Sequence, residues 1–228
     1  MIVRPLQPGD VGAVRALWRD TVVLGRPLPF ALPDLDRYAR LSLDWYLGPG
    51  ATDAAVLERS GRVQGYALVC TDEQGWRRWA ATTGVSFALG TAVRLLMGRY
   101  ERPASRFHRL RLTDGWDGLL RTTGLPAAHA HVNLAPAGRR VGAGMRLARH
   151  VDERCAAHGI DRWWAEINAR RGRRERAIER LGGTVVDRRP NRTLSWLVGE
   201  PIIRLIVVRD PTRIQPTATA IGASSLDA

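Results

Sequence analysis

The stretch that decides the fold is PAAHAHVNLAPAGRRVGAG, residues 126–144. Its first part, from Ala127 to Leu134, is mostly apolar and predicts a β-strand. From residue 138 a loop of glycine and arginine leads into a helix, which is indicated by the apolar residues Met145, Leu147 and Val151. A helix N-terminus presents free N–H groups and favours anions. A strand that enters such a loop therefore predicts a phosphate-binding site.

The loop has the pattern Arg139-x-x-Gly142-x-Gly144. Glycines let the backbone approach a ligand closely, and an adjacent arginine strengthens an anion site. Pro136 cannot donate to a sheet ladder, so we expect it to splay this strand from its neighbour and to leave backbone N–H groups near Leu134 free. Taken alone, the pattern fits a capped turn equally well. Its place between a strand and a helix favours a pyrophosphate cradle.

The segments around this stretch alternate between strand and helix patterns. The chain opens as β-α-α-β-β, with helices capped by Asp10 and Asp34 and a hairpin turn at Ser60-Gly61. Residues 71–126 form an insertion, with a helix at 85–97, a short strand at 107–112 and helical turns at 116–121. After the central stretch we expect a strand at 162–168, a helix at 173–181, a pair of strands at 184–186 and 193–198, and a further strand at 202–208.

Composition limits the class of protein. The 228 residues are 45% hydrophobic and 25% charged, which predicts one globular domain over residues 1–210 and a flexible tail at 211–228. The formal charge is +13, and all 35 basic residues are arginine. Because guanidinium groups bind phosphate with two hydrogen bonds, this excess favours a phosphorylated or polyanionic partner. No signal peptide or membrane-spanning segment is predicted, so we expect a cytoplasmic protein. Cys70 and Cys155 lack metal-ligand spacing, and no metal is predicted.

The order of elements, together with the Arg139-x-x-Gly142-x-Gly144 loop, resembles the GNAT acetyltransferase superfamily over roughly Met1 to Leu197, apart from the insertion. More narrowly, residues 126–136 resemble a P-A-H-L-H-I-N/D-L-L-P segment of bacterial acetyltransferases that are similar to the acetyltransferase-like domain of O-GlcNAc hydrolases. The resemblance implies a mixed α/β (α+β) fold, with a splayed, mostly antiparallel sheet of about seven strands flanked by helices. It also implies acetyl transfer from acetyl-CoA to an amine. The residues expected to hold acetyl-CoA are Leu134, Arg139, Arg140, Val141, Gly142, Ala143, Gly144 and Asn168.

The chain departs from the superfamily pattern at one position that concerns mechanism. Many members carry a tyrosine acid on the fourth helix, but the matching positions here read Arg171, Arg174 and Ile178. Loss of this acid need not abolish turnover, because a thiolate is already a fair leaving group. A non-catalytic protein that binds CoA is the alternative function. A third candidate, nucleic-acid binding, is supported only by the positive net charge.

Acyl transfer to an amine needs a base for the proton and donors for the oxyanion. His129, His131 and Asn133 alternate onto one face of the strand, and either histidine is a candidate base. Glu166 on the next strand is a third candidate. A packed histidine and an outward-facing glutamate are equally good interpretations of these residues.

The insertion has two candidate roles. It is expected to shape the binding side for a small-molecule or peptide amine. Alternatively, the apolar residues 85–97 and the nearby Arg94, Arg99 and Arg102 favour contact with a membrane surface. The acceptor and the oligomeric state, a dimer included, are left open by the sequence.

Overall fold

A computed structural model describes residues 1–119, 124–139, 142–170, 172, 175–180 and 182–213. Seven strands form one sheet in the order β1-β2-β3-β4-β5-β7-β6. The strands are β1 (Ile2–Pro5), β2 (Ala55–Arg59), β3 (Arg62–Cys70), β4 (Ala128–Leu134), β5 (Trp163–Arg170), β6 (Gly183–Pro190) and β7 (Ile202–Arg209). The helices are α1 (Val11–Thr21), α2 (Leu35–Leu47), α3 (Glu73–Leu96), α4 (Arg102–Leu119), α5 (Ala143–Ala157), α6 (Glu175–Arg180) and α7 (Arg192–Val198).

The sheet is antiparallel except where β4 meets β5. These two strands run parallel and pair only at Ala128 with Trp163 and at His129 with Trp164. Beyond His129 they separate, so the predicted splay is confirmed. The predicted cause is wrong. The strands part well before Pro136, while β4 stays paired with β3 as far as Leu134.

Helices cover both faces of the sheet. On one face Tyr66, Leu68 and Cys70 pack in a core with side chains from α1, α2, α3 and α4. On the other face α5 packs Leu147 and Val151 against β2, β3 and β4. Alternating residues of β3 and β4 therefore belong to different cores, as the period of two in a strand requires.

Two short strands expected from the sequence are helical. Residues 107–112 lie inside α4, where Ala104, Phe107 and His108 are buried at helical spacing. Residues 193–198 lie in α7, which starts where the Asn191 side chain accepts a hydrogen bond from the Leu194 N–H. The β-branched and apolar residues that suggested strands are instead buried on one side of each helix, because tertiary packing outweighs local propensity.

The two aspartates expected to cap helices bind elsewhere. The Asp10 carboxylate accepts hydrogen bonds from Arg4 (2.6 Å) and from the Gln7 N–H (2.9 Å). Asp34 accepts from the Tyr100 hydroxyl (2.6 Å) and from His108 (2.9 Å). Asp10 therefore completes a capping box with Gln7 in the turn before α1, and neither aspartate makes a side-chain capping bond to the helix that follows it. The bonds of Asp34 tie the start of α2 to the insertion.

The insertion is a pair of helices, α3 and α4, placed between β3 and β4. Asp114 of α4 is buried and accepts hydrogen bonds from the Thr193 N–H (3.0 Å) and hydroxyl (2.7 Å). The insertion is therefore fixed to α7 as well as to α2. Within the described residues, none of the helices is both long and apolar enough to span a bilayer.

Candidate active site

The loop after β4 fits a bound phosphate group. Gly142 has φ +82°, a left-handed conformation that favours glycine, and α5 begins directly after it. A Cβ atom added at Gly142 would meet no described atom within 4 Å, and one at Gly144 would first meet Leu134 Cδ1 at 4.0 Å. Among the described residues, no side chain caps this 15-residue helix. Open space thus lies beside free N–H groups at the positive end of a helix dipole.

The other described residues of the loop differ from Gly142 and Gly144 in their surroundings. Gly138 is packed tightly, because an added Cβ would lie 2.5 Å from the Gln64 carbonyl oxygen. The Arg139 guanidinium lies against Gly25, the residue with φ +97° that follows α1. Arg139 therefore joins the loop to the segment between α1 and α2. Arg140 and Val141 lie outside the described residues, as do Arg171 and Arg174.

The Leu134 backbone is not free, contrary to the sequence expectation. Its N–H donates to Asn133 Oδ1 at 2.9 Å. The Asn133 amide in turn donates to Thr21 Oγ1 at 2.6 Å and to the Tyr66 hydroxyl at 3.3 Å. A side chain adjacent in sequence satisfies the N–H that the splay was expected to expose. Asn133 thus fixes the end of β4 against α1.

The polar faces of β4 and β5 lie on the same side of the sheet. His129 and His131 are opposite Cys70 and Leu68 of β3, on the side that packs against α1 and α2. His129 also pairs with Trp164 of β5, which places Glu166 on this same side. The predicted stripe of His129, His131 and Asn133 is therefore present. Beyond the pair of His129 with Trp164, β4 and β5 separate and leave an opening between them. Glu166 and Asn168 lie on β5, across this opening from the stripe.

The two histidines have different surroundings. His131 is partly exposed, with its ring 5.4 Å from the ring of Tyr66 in an edge-on contact. Desolvation in this position, and the nearby His129, lower the pKa of His131 to about 4. At neutral pH its imidazole is uncharged and retains a lone pair. That is the form able to accept a proton.

His129 is enclosed by aromatic rings. The ring centroids of Trp76, Trp164 and Tyr46 lie 4.6, 5.2 and 5.9 Å from its own. Its Nδ1 is 3.4 Å from Glu73 Oε2 in the first turn of α3. Both ring nitrogens are buried, and neither has a hydrogen-bond partner among the described residues. Contact of His129 with an acceptor would therefore require the rings to move.

On β5, Glu166 and Asn168 have distinct partners. The Glu166 side chain is 40% exposed and lies 3.4 Å from Nε of the buried Arg204. Asn168 Oδ1 accepts a hydrogen bond from Asn191 at 2.8 Å, and Asn191 caps α7. Glu166 therefore borders the opening, while Asn168 connects β5 to α7.

Ile178 lies apart from this polar side. It is buried in α6 against Ala169, Leu205 and Val207, on the face of the sheet opposite His129. The side chain at the usual tyrosine position is thus a core residue. Sequence reasoning missed Glu73, Tyr66 and Trp76 as neighbours of the histidines. Only the pattern of β3 pairing with β4 could have indicated Tyr66.

The fold is similar to those of solved structures that include the following three. The crystal structure of SsHAT superposes with a TM-score of 0.62 at 20% sequence identity, covering 92% of this chain and 97% of that one. YncA, a putative acetyltransferase from Salmonella typhimurium determined with its cofactor acetyl-CoA, has a TM-score of 0.51 at 16% identity, with 95% of both chains covered. A polyamine N-acetyltransferase of Drosophila melanogaster that forms N-acetylagmatine has a TM-score of 0.52 at 15% identity, with 92% and 99% covered. The sequence matches no protein-family model and no curated protein. The chain has the fold of the GNAT N-acetyltransferases.

Proposed function

We propose that this protein is an acetyl-CoA-dependent N-acetyltransferase that acts on a small-molecule or peptide amine. One observation supports the proposal most. The opening between β4 and β5 starts beyond His129, and the loop that follows β4 ends in open glycines at the N-terminus of α5. A phosphate-binding loop and a polar opening are thus joined by one strand. YncA, of similar fold, was determined with acetyl-CoA.

In this proposal the loop binds the pyrophosphate of acetyl-CoA through backbone N–H groups of Ala143 and Gly144, with Gly142 in the left-handed conformation that opens the cradle. Arg139, Arg140 and Val141 complete the same loop. Acetyl-CoA supplies an acetyl group activated as a thioester. The chain's own task is to hold the amine beside it and to take up a proton.

We assign the proton acceptor to His131. His131 is a partly exposed residue on the polar face of β4, and its ring nitrogens are not among the buried polar atoms of the described residues that lack a partner, whereas both nitrogens of His129 are. Glu166 is the second candidate, because it is exposed on the facing strand, but its carboxylate is engaged in an ion pair with Arg204 at 3.4 Å. Tyr66 lies beside His131, and burial raises its pKa, so its phenol stays protonated.

Steady-state measurement of CoA release with a panel of amines, including polyamines and peptide N-termini, tests the activity. We expect CoA release that depends on an added amine. Native mass spectrometry of the purified protein would reveal bound CoA. Binding without turnover on every amine would instead favour the alternative, a non-catalytic CoA-binding protein, for which Ile178 is the motivating residue.

A further inference from the structure

A cluster of three potential metal ligands lies where β3, β4 and the start of α3 meet. The thiol of Cys70, the carboxylate of Glu73 and the imidazole of His129 each offer one ligand atom, and these atoms all lie within 4.8 Å of one another. Cys70 and His129 are directly opposite on β3 and β4, so their side chains share one face of the sheet. Glu73 opens α3 three residues after Cys70. Three rigid elements therefore bring these groups together.

The polar atoms of this cluster are poorly satisfied. Glu73 Oε2 and both nitrogens of His129 are buried without a hydrogen-bond partner among the described residues, and the Cys70 thiol donates a long hydrogen bond to the Asp72 carbonyl at 3.5 Å. Burying a polar group without a hydrogen-bond partner is unfavourable, because its lost contacts with water are not replaced. Aromatic rings surround the histidine, and they do not supply the hydrogen bonds that water would make with its nitrogens. Such atoms need a further partner.

A divalent cation of the zinc class would satisfy all three groups. Thiolate, imidazole and carboxylate are the ligands that zinc takes, at about 2.0–2.3 Å. In a tetrahedron of that size the nitrogen and oxygen ligands stand about 3.3 Å apart, and His129 Nδ1 lies 3.4 Å from Glu73 Oε2. Arg77 donates to the other carboxylate oxygen, Oε1, at 2.7 Å, which leaves Oε2 for the cation.

We propose that Cys70, Glu73 and His129 bind one zinc-class cation, which fastens the start of α3 to β3 and β4. On binding, the Cys70 thiol gives its proton to solvent and its sulfur donates an electron pair to the metal. Three protein ligands leave the fourth position to water, as in open zinc sites. The site is independent of the proposed acetyl transfer.

The test uses the full chain, stripped with a chelator and titrated with Co²⁺ and then with Zn²⁺. We expect one Co²⁺ per chain, a thiolate-to-cobalt charge-transfer absorption, and displacement of this signal by Zn²⁺. Elemental analysis of the protein purified without added metal gives an independent measure. Absence of both stoichiometric metal and charge-transfer absorption would overturn the proposal and leave an ordinary pairing of Glu73 with His129.

Variants identify the ligands. Cys70→Ser should abolish the charge-transfer absorption, and Glu73→Gln should retain it while weakening binding by at least about 10- to 100-fold, the loss known for outer-shell partners. Cys155→Ser is the matched control, because Cys155 is a second buried thiol, and its pKa is likewise raised to about 12 by burial. Glu73 is only half-buried, so its variant remains informative if Cys70→Ser does not fold. Unchanged affinity in Glu73→Gln, or loss of the absorption in Cys155→Ser, would contradict this ligand set.

Discussion

At the scale of single residues, the loop glycines carry the clearest functional information. Gly142 combines a positive φ with open space, whereas Gly138 is closed in by the backbone of residue 64. Both belong to one short loop and look alike in sequence. The difference shows which part of the loop a ligand can approach.

We expect Gly142→Asp to weaken acetyl-CoA binding by at least about tenfold, because the variant places a side chain and a negative charge in the cradle. Isothermal titration calorimetry measures the affinity. Gly61→Asp is the matched control, since Gly61 also has positive φ (+73°) and open surroundings but lies in the β2–β3 hairpin. A folded Gly142→Asp protein that binds like the wild type would remove the loop from the proposed site.

His131 carries the second prediction at this scale. His131→Gln retains a polar side chain of similar size but removes the proton acceptor, so turnover should fall by about 10² to 10⁴. Acetyl-CoA affinity should be unchanged. Glu166→Gln is the comparison variant and should retain more activity than His131→Gln. If Glu166→Gln loses turnover while His131→Gln keeps it, the proton acceptor is the glutamate.

At the scale of elements, the insertion is more than a loop between strands. Its helix α4 fixes α7 through Asp114, and α3 brings Glu73 and Trp76 to His129. These contacts support the expectation that the insertion shapes the acceptor side. The outer surface of the insertion also supports its other expected role, contact with a membrane surface.

The outer surface of α3 is an apolar stripe. Val85, Leu89, Val93, Leu96 and Met97 are each more than half exposed. From residue 74 to residue 100 the sequence has four arginines and no acidic residue. An apolar stripe beside cationic side chains favours an anionic lipid surface.

Co-sedimentation with vesicles of anionic lipid should therefore retain the protein at low salt and less of it at physiological salt. Leu89→Asp should reduce this retention several-fold. Val186→Asp is the control, because Val186 is an exposed apolar residue on β6, away from the stripe. If the protein does not sediment with the vesicles at either salt concentration, shaping the acceptor side is the only expected role left for the insertion.

At the scale of the whole molecule, Asp53 joins separate parts of the fold. Its carboxylate accepts hydrogen bonds from Thr71 (2.6 Å), Arg154 (2.6 Å) and His158 (3.2 Å), which links the segment before β2 to the end of β3 and to α5. Although burial opposes ionisation, the hydrogen bonds from Thr71, Arg154 and His158 hold the pKa of Asp53 below its usual value. Folding thus favours the charged form.

A carboxyl group whose pKa is lower in the folded state stabilises the fold above its unfolded pKa, about 3.9, and loses this contribution as pH falls toward the folded value. We expect the free energy of unfolding in urea to decline below about pH 5. Asp53→Asn should be less stable at pH 7 by about 1–3 kcal/mol and should show a smaller decline between pH 5 and 3. An equal decline in both proteins would assign acid sensitivity to other groups.

The sequence by itself determined the order of the main elements, the strand-loop-helix unit at residues 126–144 and the shared face of His129 and His131. These depend on local periodicity and on glycine, which act within a few residues of the chain. Two short segments were misjudged because apolar residues over six positions fit a helix or a strand equally well. Only the tertiary structure decided that His129 is buried beside Glu73 and Cys70 while His131 is partly exposed beside Tyr66. That distinction arises from the pairing of β3 with β4 and from the docking of α3, contacts between residues far apart in the chain that no local pattern records.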